Sequence, residues 1–343
     1  MSAPIRAKSE SIRKFIIANV DKHAGDIAKK VADKFAMSRQ AANKHLLRLV
    51  SDKLIVQSGN TRKKQYALRP LEETQLKYSI GSKLEEDVVW SKDIQPLLAQ
   101  LPSNALKIWE YGFTEMFNNV IDHSEGASVT VQIKVNAKST EIYIIDDGVG
   151  IFSKIQRALS LSNPEHAVLE LAKGKFTTDP SRHSGEGIFF ASRVFDEFTI
   201  LSDQIHFSHN RDKRENWIAD SNLEKGTAVV MVLNNHTSRS LKKVFNEFAT
   251  PDNFRFDRTI IPLRMAQYGD NSLVSRSQAK RILQRLDRFD EVFFDFSEVA
   301  EIGQGFADEV FRVFASQHPE LSINHINANS TVEAMILRAK GHR

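Results

Sequence analysis

The chain has 343 residues, no cysteine, 41% apolar residues and a net charge of +4. That length allows two or three domains. The lack of Cys excludes disulfides, a thiol nucleophile and a Cys-based zinc site, and no apolar run approaches the ~18 residues of a membrane-spanning helix. The opening residues, MSAPIRAKSE, lack the apolar stretch of a secretory signal, so a cytoplasmic protein with no membrane partner is expected.

Charge is unevenly spread. Residues 1–70 hold 16 Lys and Arg against 5 Asp and Glu, a balance of +11; with a total of +4, the other 273 residues carry −7. A basic head on an acidic body predicts a polyanionic partner for the head alone.

Within the head, residues 9–23 are predicted to form an amphipathic helix with Ile12, Phe15, Ile16 and Val20 inward. GDIAKKVADKF (25–35) makes a second helix and AMS a short turn. SRQAANKHLLRLVSDKL (38–54) starts on a Ser N-cap and should bury Ala42, Leu46, Leu47 and Val50. LIVQSG and QYAL read as two short strands around the tip NTRKK (60–64). Helix, helix, turn, helix, hairpin is the winged helix-turn-helix order, and residues 9–69 resemble that family. The resemblance implies that Arg39, Gln40, Asn43 and Lys44 approach base edges of double-stranded DNA. It also implies that Arg62, Lys63 and Lys64 reach phosphates or the minor groove. A winged helix used only for protein contacts is the alternative, which the charge disfavours.

Residues 71–104 are read as a linker and a leading helix. In GFTEMFNNVIDHS (112–124), Phe113, Phe117, Val120 and Ile121 fall on one helical face, with Glu115, Asn119 and Asp122 opposite. ASVTVQIKV, from Ala127, alternates as a half-buried strand. EIYIIDDGVGI (141–151) is a buried strand running into a Gly turn. HSGEGIFFASRVFD (183–196) is a Gly turn opening a helix, and EKGTAVVMVL (224–233) a Gly-Thr turn opening a strand.

In this order and spacing, the four motifs resemble the N, G1, G2 and G3 boxes of the GHKL, or Bergerat-fold, ATPases over residues 105–235. The fold class that follows is a multidomain α/β protein. It joins a winged helix-turn-helix (1–70), a GHKL α/β sandwich (105–250) and a further α/β domain (251–343). By resemblance, Asn119 ligates Mg²⁺ through its amide oxygen and Glu115 activates the attacking water or hydroxyl. Asp122 borders the nucleotide, and Asp146 accepts from the adenine amino group with support from Thr227. Gly148, Gly150 and Ile151 let the backbone pass close to ATP. Gly185, Gly187 and Ile188 offer a helix start to its phosphates. Residues 152–184 become a lid from which Lys173, Lys175, Thr177, Thr178, Arg182 and His183 can reach the phosphates on closure. Phe189, Phe190 and Glu186 depart from the G2 pattern. His123 reads as a polar residue of its helix rather than a phospho-acceptor, since no dimerising hairpin accompanies it.

The tail begins at the junction TPDNF (250–254). It is predicted to continue through the strand in DRTIIPLRM, helix 275–286, strand EVFFDFS, helix 304–317, strand SINHINA and a last helix from Ser330. Ser275 with Gln278 and Ser330 with Glu333 read as capping boxes. VFFDFSEVAEIGQGFADEVF (292–311) resembles the STAS-like domains found fused to GHKL modules. Its loop Ile302-Gly303-Gln304-Gly305 lacks the phosphorylatable Ser of signalling STAS domains, which favours docking of a protein partner.

The combined expectation is a DNA-binding regulator switched by Mg²⁺-ATP, a homodimer by half-site logic, and a slow ATPase. An anti-sigma-type serine/threonine kinase is the alternative; an ATP sensor that hardly hydrolyses is a third reading.

Overall fold

The computed structural model describes residues 3–60, 63–177, 184–211, 215–221, 223, 225–249, 255–267 and 272–341. Arg62 and the junction TPDNF lie outside the described residues. The protein is a mixed α/β chain of two compact units. One comprises residues 1–76, 131–142 and 232–237; the other comprises 77–130, 143–231 and 238–343.

In the first unit, helices Ala3–Asn19, Ile27–Phe35 and Arg39–Ser51 precede an antiparallel pair, β1 (Ile55–Ser58) and β2 (Gln65–Leu68), with Ile55 opposite Leu68. The second helix stops at Ala36, whose left-handed backbone (φ 49°) turns its N–H back onto the Ala32 carbonyl. Ser38 then accepts from Ala41 N–H at 3.1 Å and starts the third helix. Ile12, Ile16, Val20, Val31, Ala42 and Leu46 lie in one apolar core.

Two expectations fail here. The first helix begins well before residue 9. On the third, Leu49 (2% exposed) takes the core position expected of Leu47, which is 53% exposed. Ala42, Leu46 and Leu49 are spaced i, i+4, i+7, one stripe of a helix, and Leu47 falls outside it.

The segment read as a linker contains β3 (Pro70–Ser79), a ten-residue strand. The next strands are β4 (Ser128–Asn136), β5 (Ser139–Asp146), β6 (Glu197–Ser202), β7 (Ile205–Asn210), β8 (Glu215–Asp220) and β9 (Thr227–Asn234). They form one sheet of order β3-β4-β5-β9-β6-β7-β8. Strand alternation puts Thr140, Ile142, Ile144 and then Asp146 in the buried slots of β5, so a carboxylate ends the inward-facing row.

Helix Ser103–His123 buries Ala105, Ile108, Trp109, Gly112, Met116 and Val120 along one stripe. A Cβ at Gly112 would strike the Phe195 ring, so only glycine admits this approach.

Further along the second unit, β10 (Arg258–Pro262), β11 (Glu291–Asp295) and β12 (Ser322–Ile326) form a parallel sheet in that order. Helix Arg276–Leu283 starts on the expected capping box of Ser275 and Gln278. The last helix, Ser330–Gly341, starts differently. Asn329 rather than Ser330 accepts from the Val332 N–H, at 2.9 Å, and Glu333 turns to His325.

Candidate functional site

The second unit contains a cavity of about 350 Å³ whose wall draws on all four motifs. Glu115, Asn118, Asn119 and His123 come from helix Ser103–His123, and Asp146 from the end of β5. Ile151 follows the Gly turn, Gly185, Gly187 and Ile188 open helix Gly187–Val194, and Thr227 starts β9. Thr177 lines the cavity as well.

Asp146 is 6% exposed. Burial raises its carboxyl to about pKa 6 against the opposing pull of backbone N–H groups from Gly148 and Thr227; the neighbouring Asp147 carboxylate adds to the rise. The Gly148 N–H lies 2.9 Å from Asp146 Oδ1. Gly148 therefore acts on the carboxylate and is not part of the cavity wall. Thr227 Oγ1 accepts from the Ile151 N–H at 3.2 Å, and the Thr227 backbone N–H serves Asp146.

Gly150 does not line the cavity either; it stands at the start of helix Ile151–Leu159. Behind it, Asp203 accepts from the Ser153 N–H at 2.9 Å and from the Ser153 hydroxyl at 2.6 Å. A Cβ at Gly150 would run into the Asp203 carboxylate. Asp203 and Ser202 thus pin the turn that follows Asp146, a role the sequence does not reveal because β6 and β5 are far apart along the chain.

Gly187 bears directly on Glu115, since a Cβ there would land on the Glu115 carboxylate. Gly185, at φ 72°, packs over the Phe176 backbone.

Three expected contributors are elsewhere. Asp122 is not part of the cavity wall. Lys175 Nζ donates to the Arg288 carbonyl at 2.6 Å, pairs with Asp257 at 3.4 Å and lies over the Phe289 ring. Lys173, 1% exposed, is paired with Glu170 at 2.5 Å. A lid role requires both side chains to reach forward, and in this structure each is engaged in an ion pair instead. Thr178, Arg182 and His183 lie outside the described residues.

In the first unit, Arg39, Gln40, Asn43 and Lys44 lie along successive turns of one helix, and Lys63 and Lys64 precede β2. Arg39, Gln40, Lys63 and Lys64 are exposed. Among the described residues, Arg39, Lys44, Lys63 and Lys64 enter no ion pair, whereas Arg13 is paired with Asp52 at 2.9 Å.

A family described as a STAS-like domain of unknown function (DUF4325) matches residues 278–333, which take in β11, the helix at 304–317 and β12. The C-terminal part of the chain thus carries a STAS-like domain. No curated protein matches the chain. Among the described residues, no helix is long and apolar enough to cross a membrane.

Proposed function

We propose that the cavity binds Mg²⁺-ATP in the manner of the GHKL ATPases and that occupancy switches DNA binding by the basic head, read as a winged helix-turn-helix. The observation that carries the reading is the convergence of four separated motifs on one cavity, with a buried carboxylate at its inner wall. Among the described residues no cation pairs with Asp146, and a buried acceptor of that kind suits an N–H donor such as the adenine amino group.

In this reading Asp146 accepts from the adenine, and the turn Gly148–Ile151, tied through the Ile151 N–H to Ser202 and Thr227 and backed at Ser153 by Asp203, holds the base against it. Gly185, Gly187 and the start of helix Gly187–Val194 face the phosphates. Among the described residues, no three carboxylate or imidazole groups gather to hold a metal by themselves. The Asn119 amide oxygen would hold Mg²⁺ jointly with the phosphates, where the ion would neutralise phosphate charge. Glu115 takes the proton of the attacking water.

The same cavity could pass the γ-phosphate to a protein hydroxyl. In the STAS-like part the loop Ile302-Gly303-Gln304-Gly305 carries no hydroxyl to receive it, so hydrolysis is favoured. Ser297, whose hydroxyl donates to Asp295 at 2.7 Å, is the acceptor to test.

Incubation with γ-labelled ATP and DNA separates the two. Release of free phosphate, reduced about 10²–10⁴-fold in Glu115→Ala with ATP binding retained, is the expected result. Stoichiometric label on Ser297 would replace hydrolysis with phosphotransfer.

A further inference from the structure

The turn that follows helix Glu165–Lys173 leads into Phe176 and Thr177, both in the cavity wall. Its carbonyls are gripped one after another. Arg193 Nη2 donates to the Ala172 carbonyl at 3.2 Å, and the Thr259 hydroxyl donates to that of Lys173 at 2.7 Å. The Lys175 carbonyl accepts from Arg285 Nη2 at 2.7 Å and Arg288 Nη1 at 3.1 Å. The backbone here is forced: Gly174 has φ 86° and Lys175 has φ 53°. A side chain at Gly174 would collide with the rings of Phe256 and Phe189.

Arg285 is built for this grip. Its own backbone is left-handed, at φ 63°, a conformation that costs energy outside glycine and persists where the surroundings impose it. One arm of the guanidinium reaches Glu170 at 2.8 Å, the other reaches the Lys175 carbonyl, and its Cζ lies 5.0 Å from the centroid of the Phe176 ring. Glu170 is itself buried and shared with Lys173, so the fork has a fixed anchor.

We infer that Arg285 and Arg288 are positioning residues for the nucleotide cavity: from the C-terminal part of the chain they hold the backbone at Lys175, and with it the wall residues Phe176 and Thr177. The inference rests on the nucleotide reading above and deepens it, because it makes the STAS-like part a component of the site. A partner that shifts Arg285 would then alter nucleotide affinity, and nucleotide would alter that partner's binding by the same factor.

The test uses full-length Arg285→Gln, Arg285→Lys and Arg288→Ala proteins. Three quantities are measured: hydrogen exchange of peptides spanning 170–178 without nucleotide, melting temperature, and Mg²⁺-ATP affinity. Arg285→Lys keeps the charge beside Glu170, but one ammonium cannot bridge Glu170 and the Lys175 carbonyl as the fork does. It should melt near wild type yet exchange faster at 170–178 and bind ATP about tenfold more weakly. Arg285→Gln should weaken affinity at least as much. Arg288 is exposed and supplies one of the two hydrogen bonds to the Lys175 carbonyl. Arg288→Ala should therefore weaken binding by only about two- to threefold without a change in melting.

Unchanged exchange in both Arg285 variants would overturn the clamp whether or not ATP binds. Faster exchange with unchanged ATP affinity would overturn its role in the site. A wild type that binds no ATP would instead remove the nucleotide reading, leaving exchange to decide the clamp alone.

Discussion

Gly187 and Glu115 touch: the first residue of one helix leaves room for the carboxylate of another only because it has no side chain. Gly187→Ala is favourable for the helix itself, by up to ~1 kcal/mol, and the group it displaces is the free end of a flexible side chain. The fold should therefore tolerate the change while Glu115 is pushed aside. Turnover should fall at least tenfold with the melting temperature unchanged or raised, which steady-state kinetics and a thermal melt on one preparation will check.

Asp146 gives a pH signature. Its folded pKa, near 6, lies above the ordinary aspartate value, so the folded state holds its proton more tightly than the unfolded chain. The buried charge is then a cost to stability, fully present above about pH 6 and relieved as pH falls through that value. Asp146→Asn removes the cost, so the free variant should melt a few degrees higher than wild type at pH 7.5, with the gap narrowing as pH falls below 6 and closing only near 3.8, the ordinary aspartate value. The same substitution should weaken ATP binding by about 1–3 kcal/mol. Binding to the wild type should weaken as pH drops through 6. A variant that melts lower at pH 7.5 would show that the carboxylate is structural.

Buried charge also sets the effect of changes at Glu170. Glu170 is 3% exposed and faces two cations, Lys173 and Arg285. Glu170→Gln strands both and should cost about 3–5 kcal/mol. Lys173→Met should cost less, because Arg285 still neutralises Glu170. Urea unfolding of the two variants gives the order.

The periodic features and the Gly turns are legible in the sequence. Alternation in β4 and the stripe of helix Ser103–His123 follow from pattern alone; β5, read as a buried strand, instead alternates buried and half-buried residues. What stays hidden depends on neighbours distant in the chain. Lys175 looks like a free lid cation until Asp257 and the Arg288 carbonyl are brought beside it. The Glu170–Lys173 pair is three residues apart on one helix, and its burial, not its spacing, is what the sequence hides. Asp203 acquires its role only where the end of β6 meets the turn after Asp146. β3 is hard to see because its residues are mostly polar and half exposed, which blurs the period-two signal. Leu47 and Leu49 differ by two positions, and apolar composition alone does not choose between them.

For the basic head, Lys63→Ala with Lys64→Ala should flatten the slope of log DNA affinity against log salt by about 0.9 for each phosphate no longer neutralised. Arg39→Ala should instead relax sequence preference. Equilibrium binding to two DNA sequences across a salt series distinguishes these effects. An unchanged slope in the Lys pair would remove the hairpin tip from the interface.

The central claim is that the cavity around Asp146 takes an adenine nucleotide. Calorimetric titration of the full chain with ATP and with GTP, both with Mg²⁺, tests it most directly. One ATP should bind per chain, GTP should bind much more weakly, and Asp146→Asn should lose the preference. Equal affinity for the two nucleotides, or no heat with ATP, would contradict it.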